Sequence, residues 1–146
     1  MAKQNFAGDN VSGYAVNAIA DPVEIRSRGV LPAHNHTPAH VLSICLQGEC
    51  RVRHFRTLGR APGLDSRETF RIHETENRIL RPGRSTSLTP ARDNIHTFEA
   101  GPEGASGIDV NTFLPGEGDW SMLAVDDRPL TGYERRFEAH WTGKPA

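Results

Sequence analysis

The chain has 146 residues, with 17 Lys plus Arg against 18 Asp plus Glu and a formal net charge of -1. That length fits one domain able to bury its own core, and the balanced charge gives no support to a nucleic-acid footprint or a membrane-binding basic face. No apolar run approaches a membrane span, and the polar start from Met1 to Pro22 lacks a charged segment followed by an apolar one, so a cytoplasmic protein is expected.

Residues 1–22 read as a lead-in, and the domain as 23–146. Val23 to Arg28 alternates as a first strand. Val41 to Leu46 is apolar and ends at Gln47-Gly48-Glu49, a predicted turn, after which Cys50 to Phe55 alternates as the second arm of a hairpin. If residues 40, 42, 44 and 46 share the inward face, His40 lies inside with Leu42, Ile44 and Leu46. Cys45 reads as a small core residue, and in a cytosolic chain the two cysteines, Cys45 and Cys50, default to free thiols. Thr57 to Arg67 is a loop. Thr69 to Leu80 is one or two exposed strands, Arg81-Pro82-Gly83 a turn, and Ser85 to Pro90 a short strand leading to the loop Ala91 to Asn94. Ile95 to Glu99 alternates, Gly101 to Gly104 is a turn, and Gly107 to Leu114 is another strand. Pro115 to Asp119 is a loop before a strand from Trp120 to Val125, and Tyr133 to Trp141 fits either a last strand or a short helix. Glycine (14) and proline (10) are scattered, and no long segment keeps a helical period. Many short strands without helices favour an all-β sandwich or barrel.

Chemistry concentrates on three histidines. His34 and His36 flank Asn35 in an extended stretch, where alternate residues point to one side, so both imidazoles can aim at one point. His96, about sixty residues further on and again in a strand, can close one face of a metal site and leave the other open. His54, His73 and His140 show no partner spacing and read as surface or strand residues, and Trp120 and Trp141 as packing.

Gly29 through His34, His36 and His40 to Gly48, and Arg81-Pro82-Gly83 through Leu88 to His96, resemble the two motifs of the cupin superfamily. The position where that family places a glutamate holds His40, which resembles the three-histidine branch that binds ferrous iron. Leu31-Pro32-Ala33-His34-Asn35-His36 and, above all, Leu88-Thr89-Pro90-Ala91-Arg92-Asp93-Asn94-Ile95-His96 are similar to the cysteamine dioxygenase and plant cysteine oxidase family, as is Gly107-Ile108-Asp109-Val110. The resemblance covers about residues 28–115. The chain departs from it at Thr37-Pro38, where the family has Pro-Gly, and after Leu114, where it lacks the Pro-Pro-Tyr segment and the cysteine and paired tyrosines that follow.

The resemblance implies a single-domain all-β cupin, a double-stranded β-helix of jelly-roll type. It implies Fe(II), with Zn, Ni or Mn as alternative occupants, on His34, His36 and His96, and a dioxygenase that oxidises a small thiol to its sulfinate with O₂. His40 is then a pocket residue available for acid–base work. Arg92, Asp93 and Asn94 either form an ordinary turn or orient the loop before His96. Asp109 either accepts a hydrogen bond from a ligand imidazole or faces outward. By analogy with small cupins a homodimer through strand edges is expected. Two other readings stay open: a different metal-dependent cupin enzyme (a lyase, isomerase or non-thiol oxygenase acting on a small organic acid) and a non-enzymatic small-molecule-binding cupin.

Overall fold

Burial alternates with period 2 through residues 39–45, 85–88 and 136–141, which is how a strand with one packed face must look. The computed structural model describes residues 4–7, 17–37, 39–113 and 120–143, and these hold nine strands and no helix. They are β1 (Gln4–Ala7), β2 (Asn17–Ile25), β3 (Val30–Asn35), β4 (Ala39–Thr57), β5 (Phe70–Leu80), β6 (Ser85–Leu88), β7 (Ile95–Phe113), β8 (Met122–Val125) and β9 (Arg136–Gly143). All pairings are antiparallel. Six strands close a ring in the order β7-β3-β8-β9-β5-β4, sealed by the pairing of β4 with β7. β6 hangs on the first half of β4, and β2, followed by β1, on the second half of β7.

The two longest strands, β4 and β7, replace two predicted turns. Gln47-Gly48-Glu49 is not a hairpin, because the chain continues through it with irregular register at Cys45/Gln47 and Gly48/Cys50. Gly101 to Gly104 likewise lies inside β7. Glycine serves here as a bulge rather than a turn residue. Gly48 and Gly104 both have positive φ, 69° and 79°, and a Cβ on Gly48 would collide with the Gly104 carbonyl. The bulges let each strand belong to two sheet regions: residues 50–55 of β4 pair with 95–100 of β7, and residues 39–45 with 107–113.

Other boundaries shift less. β2 begins at Asn17, so the sheet includes part of the predicted lead-in and the boundary at residue 23 falls inside a strand. β5 is one strand, with Phe70, Ile72 and Leu80 buried. The ambiguous C-terminal segment is β9, with Phe137, Ala139 and Trp141 buried in alternation. The predicted loop Pro115 to Asp119 lies outside the described residues.

The apolar core has separate parts. Ala33, Phe55, Phe70, Ile72, Ile95, Leu123, Phe137, Ala139 and Trp141 form the largest, built by all six ring strands. A second joins Cys45, Cys50, Val52, Leu80 and Phe98, and a third Ala39, Val41 and Leu88. At about 1.5–3 kcal/mol for each fully buried large side chain, these clusters supply the main drive for closing the ring.

Candidate metal centre

The strand pairings place the histidines in one row. His34 on β3 is opposite His96 on β7, which is opposite His54 on β4, which is opposite Glu76 on β5. Directly opposed residues share a face. The sequence neighbours Ala33, Ile95 and Phe55 belong to the largest apolar cluster, so the imidazole row occupies the reverse side of the same strands.

His34, His36 and His96 converge, each offering one ligand atom and all within 4.8 Å of one another. His96 Nε2 is 3.0 Å from His34 Nε2 and 3.0 Å from His36 Nε2. Two nitrogens bound at right angles to one ion, each about 2.1 Å away, would stand about 3.0 Å apart. The tautomer of His34 is fixed: its Nδ1 lies 2.8 Å from the Pro32 carbonyl, which can only accept, so Nδ1 carries the proton and Nε2 keeps its lone pair. Burial pushes all three imidazoles below their ordinary pKa, His36 to about 3, with neighbouring imidazoles adding to the effect on His36 and His96. Neutral rings with converging lone pairs fit a metal ion, and these three residues can bind one; His96 Nδ1 is buried with no hydrogen-bond partner among the described residues.

Backbone contacts hold the cluster. His36 N–H donates to Asn94 O at 2.9 Å, Asn35 N–H to Ser121 O at 3.1 Å, and Ser121 N–H to Asn35 Oδ1 at 2.6 Å. Asn94 therefore positions His36 through its carbonyl. Asp93 takes a positive φ of 57° in the turn, and its carboxylate pairs with Arg92 at 3.3 Å, where the guanidinium is largely exposed.

His40 does not lie on the inward face expected for it. In the first half of β4 the buried residues are Ala39, Val41, Ser43 and Cys45, the reverse of the expected face, and His40 is exposed beside exposed Leu42 and Leu46. The apolar look of the even residues misled the face assignment, because small and polar side chains fill the inward positions. Asp109 is buried, with Asp21 and Ser43 as its ladder partners and a hydrogen bond to Ser43. Burial, with a contribution from Asp21, raises its carboxyl to about 6. Cys45 and Cys50 are free buried thiols whose pKa is raised chiefly by burial, that of Cys50 to about 11.

Two residues read as bland from sequence stand beside the cluster. His54 is only 1% exposed, with its ring 6.1 Å from that of His96. The Thr86 hydroxyl on β6 lies 3.2 Å from Glu76 Oε1 and 3.2 Å from His54 Nε2, while His54 Nδ1 faces Glu76 Oε2 at 3.5 Å. This set ties β6 to the ring. Its sequence signal is the alternation of Val52 and His54 on one face. Trp120 is the other, with its ring 6.3 Å from His34.

No protein-family model matches the chain, and no curated protein matches it in sequence. Among solved structures it is similar to the coconut allergen cocosin (TM-score 0.52, 18% identity, 72% of this chain and 23% of that one). The recombinant pro-11S globulin of pumpkin is similar to the same degree (TM-score 0.52, 13% identity, 73% of this chain and 23% of that one). A double-stranded β-helix domain protein from Klebsiella pneumoniae aligns over 82% of this chain and 83% of its own, at a TM-score of 0.44 and 12% identity. The chain thus spans about a quarter of the length of cocosin and of the pumpkin globulin, and at these identities the likeness is one of fold. The protein is an all-β double-stranded β-helix, a cupin fold, carrying a three-histidine cluster able to bind a metal ion.

Proposed function

We propose that this protein is a mononuclear non-haem Fe(II) dioxygenase that oxidises a small thiol to its sulfinate. The observation that carries the reading is the convergence of three neutral imidazole nitrogens from His34, His36 and His96, with no carboxylate in the group. Three neutral ligands from His34, His36 and His96 would leave the full charge on a bound ion, which would suit an anionic sulfur substrate. The resemblance of Leu88 to His96 to the thiol dioxygenases points the same way.

The overall change is RSH + O₂ → RSO₂H, with both oxygen atoms transferred to sulfur. Bound iron would supply the redox chemistry that joins the two substrates. The chain's own residues do the rest. His34 is held as the Nδ1–H tautomer by Pro32, His36 is positioned by Asn94, and burial keeps the imidazoles unprotonated at neutral pH. The packed strands behind the row keep the three rings in place before substrate arrives.

The test is O₂ uptake by anaerobically Fe(II)-loaded protein against cysteamine, cysteine, a mercapto acid and a Cys-initiated peptide, with product mass. Thiol-dependent uptake with a gain of two oxygen atoms is expected. No uptake with any thiol, despite bound iron, would overturn the reading in favour of a metal-dependent lyase, isomerase or non-thiol oxygenase in the same frame.

A further inference from the structure

The two tryptophans do different things. Trp141 behaves as a core residue: it is 6% exposed, lies 5.0 Å from the Phe70 ring, and donates its indole N–H to Pro62 O at 3.1 Å. Trp120 is 40% exposed, yet its ring meets that of His34 edge-on, at 6.3 Å and 74°. A lone exposed aromatic is ordinary on a protein surface. One set against a metal-ligand candidate and fixed there is less so.

The fixing is visible. Ser121, next in the chain, exchanges two hydrogen bonds with Asn35, the residue between the two paired histidines. Met122 follows, is half-buried, and is the ladder partner of His34 on β8, so its side chain shares the face of that imidazole. An indole and a thioether thus stand on one flank of the cluster. The opposite flank carries the polar set of His54, Thr86 and Glu76. Asn35 and Ser121, which tie the Trp120 flank together, are uncharged.

We propose that Trp120 is a specificity-determining residue: with Met122 it walls one side of the approach to the three imidazoles and receives an apolar or aromatic substituent carried by the group that binds the metal. This rests on the three-histidine cluster being a metal site, but not on the reaction being thiol oxidation. An indole offers a large, rigid contact surface at little entropic cost, and its π-face and edge suit another ring.

The test uses Co(II)-loaded protein, in which a bound thiolate gives a visible charge-transfer band, so affinities are read without turnover. Hydrogen sulfide and phenylmethanethiol are titrated into the unchanged protein, Trp120→Ala and Trp120→Phe. Trp120→Ala is expected to weaken phenylmethanethiol roughly tenfold, with hydrogen sulfide nearly unchanged, and Trp120→Phe to keep most of the affinity. Cobalt should also quench an emission component that Trp120→Phe lacks. Equal weakening of both thiols, or unchanged affinity for phenylmethanethiol, would overturn the proposal. Failure of the unchanged protein to bind cobalt would overturn the metal reading and this proposal together. A normal cobalt titration without O₂ uptake by the iron form would overturn only the assigned reaction.

Discussion

Adjacent residues on the same three strands build two unlike surfaces. Ala33, Phe55 and Ile95 enter the largest apolar cluster, while their neighbours His34, His54 and His96 form the imidazole row on the reverse side. The apolar face gains free energy by excluding water, in proportion to the area buried. The imidazole row shares its side with the apolar pair Val52 and Phe98, but its own groups each lose hydration and must recover it from a partner. His34 recovers it from the Pro32 carbonyl and His54 from Thr86, whereas His96 Nδ1 recovers none from the described residues. A strand with period 2 thus separates stability from chemistry by one position, and substitutions one residue apart should have different signatures.

The largest effect is expected at His96, which touches both other rings. His96→Ala should abolish metal retention and activity while the ring stays folded, as read by metal stoichiometry and circular dichroism. Its neighbour gives the contrast. Phe55 is fully buried, and Phe55→Ala should cost about 3–5 kcal/mol of unfolding free energy. A folded Phe55→Ala should still bind metal. Equal loss of metal in both variants would show that the two faces are not separable.

The pH response of the metal-free protein probes the polar face directly. His36 titrates near 3 when folded and near 6.5 when unfolded, so between those values only the unfolded state takes up its proton. Stability should be fully present above pH 6.5 and fall as pH drops toward 3, as read by denaturant midpoints. Bound metal should flatten the upper part of this decline.

Thr86→Val tests the link between the sheet regions. It leaves His54 Nε2 buried without its hydrogen-bond partner, at about 1–3 kcal/mol. Val has nearly the same shape, so a neutral result would mean that the hydroxyl contributes nothing.

Much of this arrangement could be read from the residues. The paired His34 and His36 with a distant His96 marked the cluster, and alternation marked most strands. What the residues hid has two physical causes. First, Gly48 and Gly104 look like turn signals, yet their positive φ serves bulges where β4 and β7 cross closely. A glycine's local freedom does not say whether the chain reverses, because that depends on a partner strand far away in sequence. Second, Leu42 and Leu46 look like core residues, yet the inward positions of β4 are filled by Ala39, Val41, Ser43 and Cys45. Hydrophobicity misled there because the inward row must sit beside buried Asp109 and Asn111, where bulky apolar chains would leave polar groups unpaired. His54 and Trp120 were hidden differently, because the neighbours that give them roles, Thr86 and His34, are far away in sequence.

Asp109 gives a smaller effect of opposite pH sign. Its carboxyl titrates near 6 when folded and near 3.8 when unfolded, so the native state holds the proton more tightly between these values. Its contribution is fully present below 3.8 and lost as pH rises through about 6. Asp109→Asn should therefore stabilise the protein at pH 8 by about 2 kcal/mol, once the altered hydrogen bond with Ser43 is deducted, and by almost nothing at pH 4. A gain that does not depend on pH would assign the effect to packing instead.

The smallest effect is expected at His40, the one histidine of the first motif that the fold turns outward. Its side chain is exposed on β4, opposite Thr112 of β7. A substitution there changes no buried contact, and exposed positions of this kind usually shift stability by no more than about 0.5 kcal/mol. His40→Ala should leave metal stoichiometry, the pH profile of activity and the denaturant midpoint near those of the unchanged protein. A lost limb in the pH profile with metal binding intact would place His40 beside the substrate after all. That outcome would require β4 to present its other face, which would also move Val41 out of contact with Leu88 and be seen as a drop in the midpoint. Measuring both quantities on one variant therefore separates an outward-facing histidine from a misassigned register.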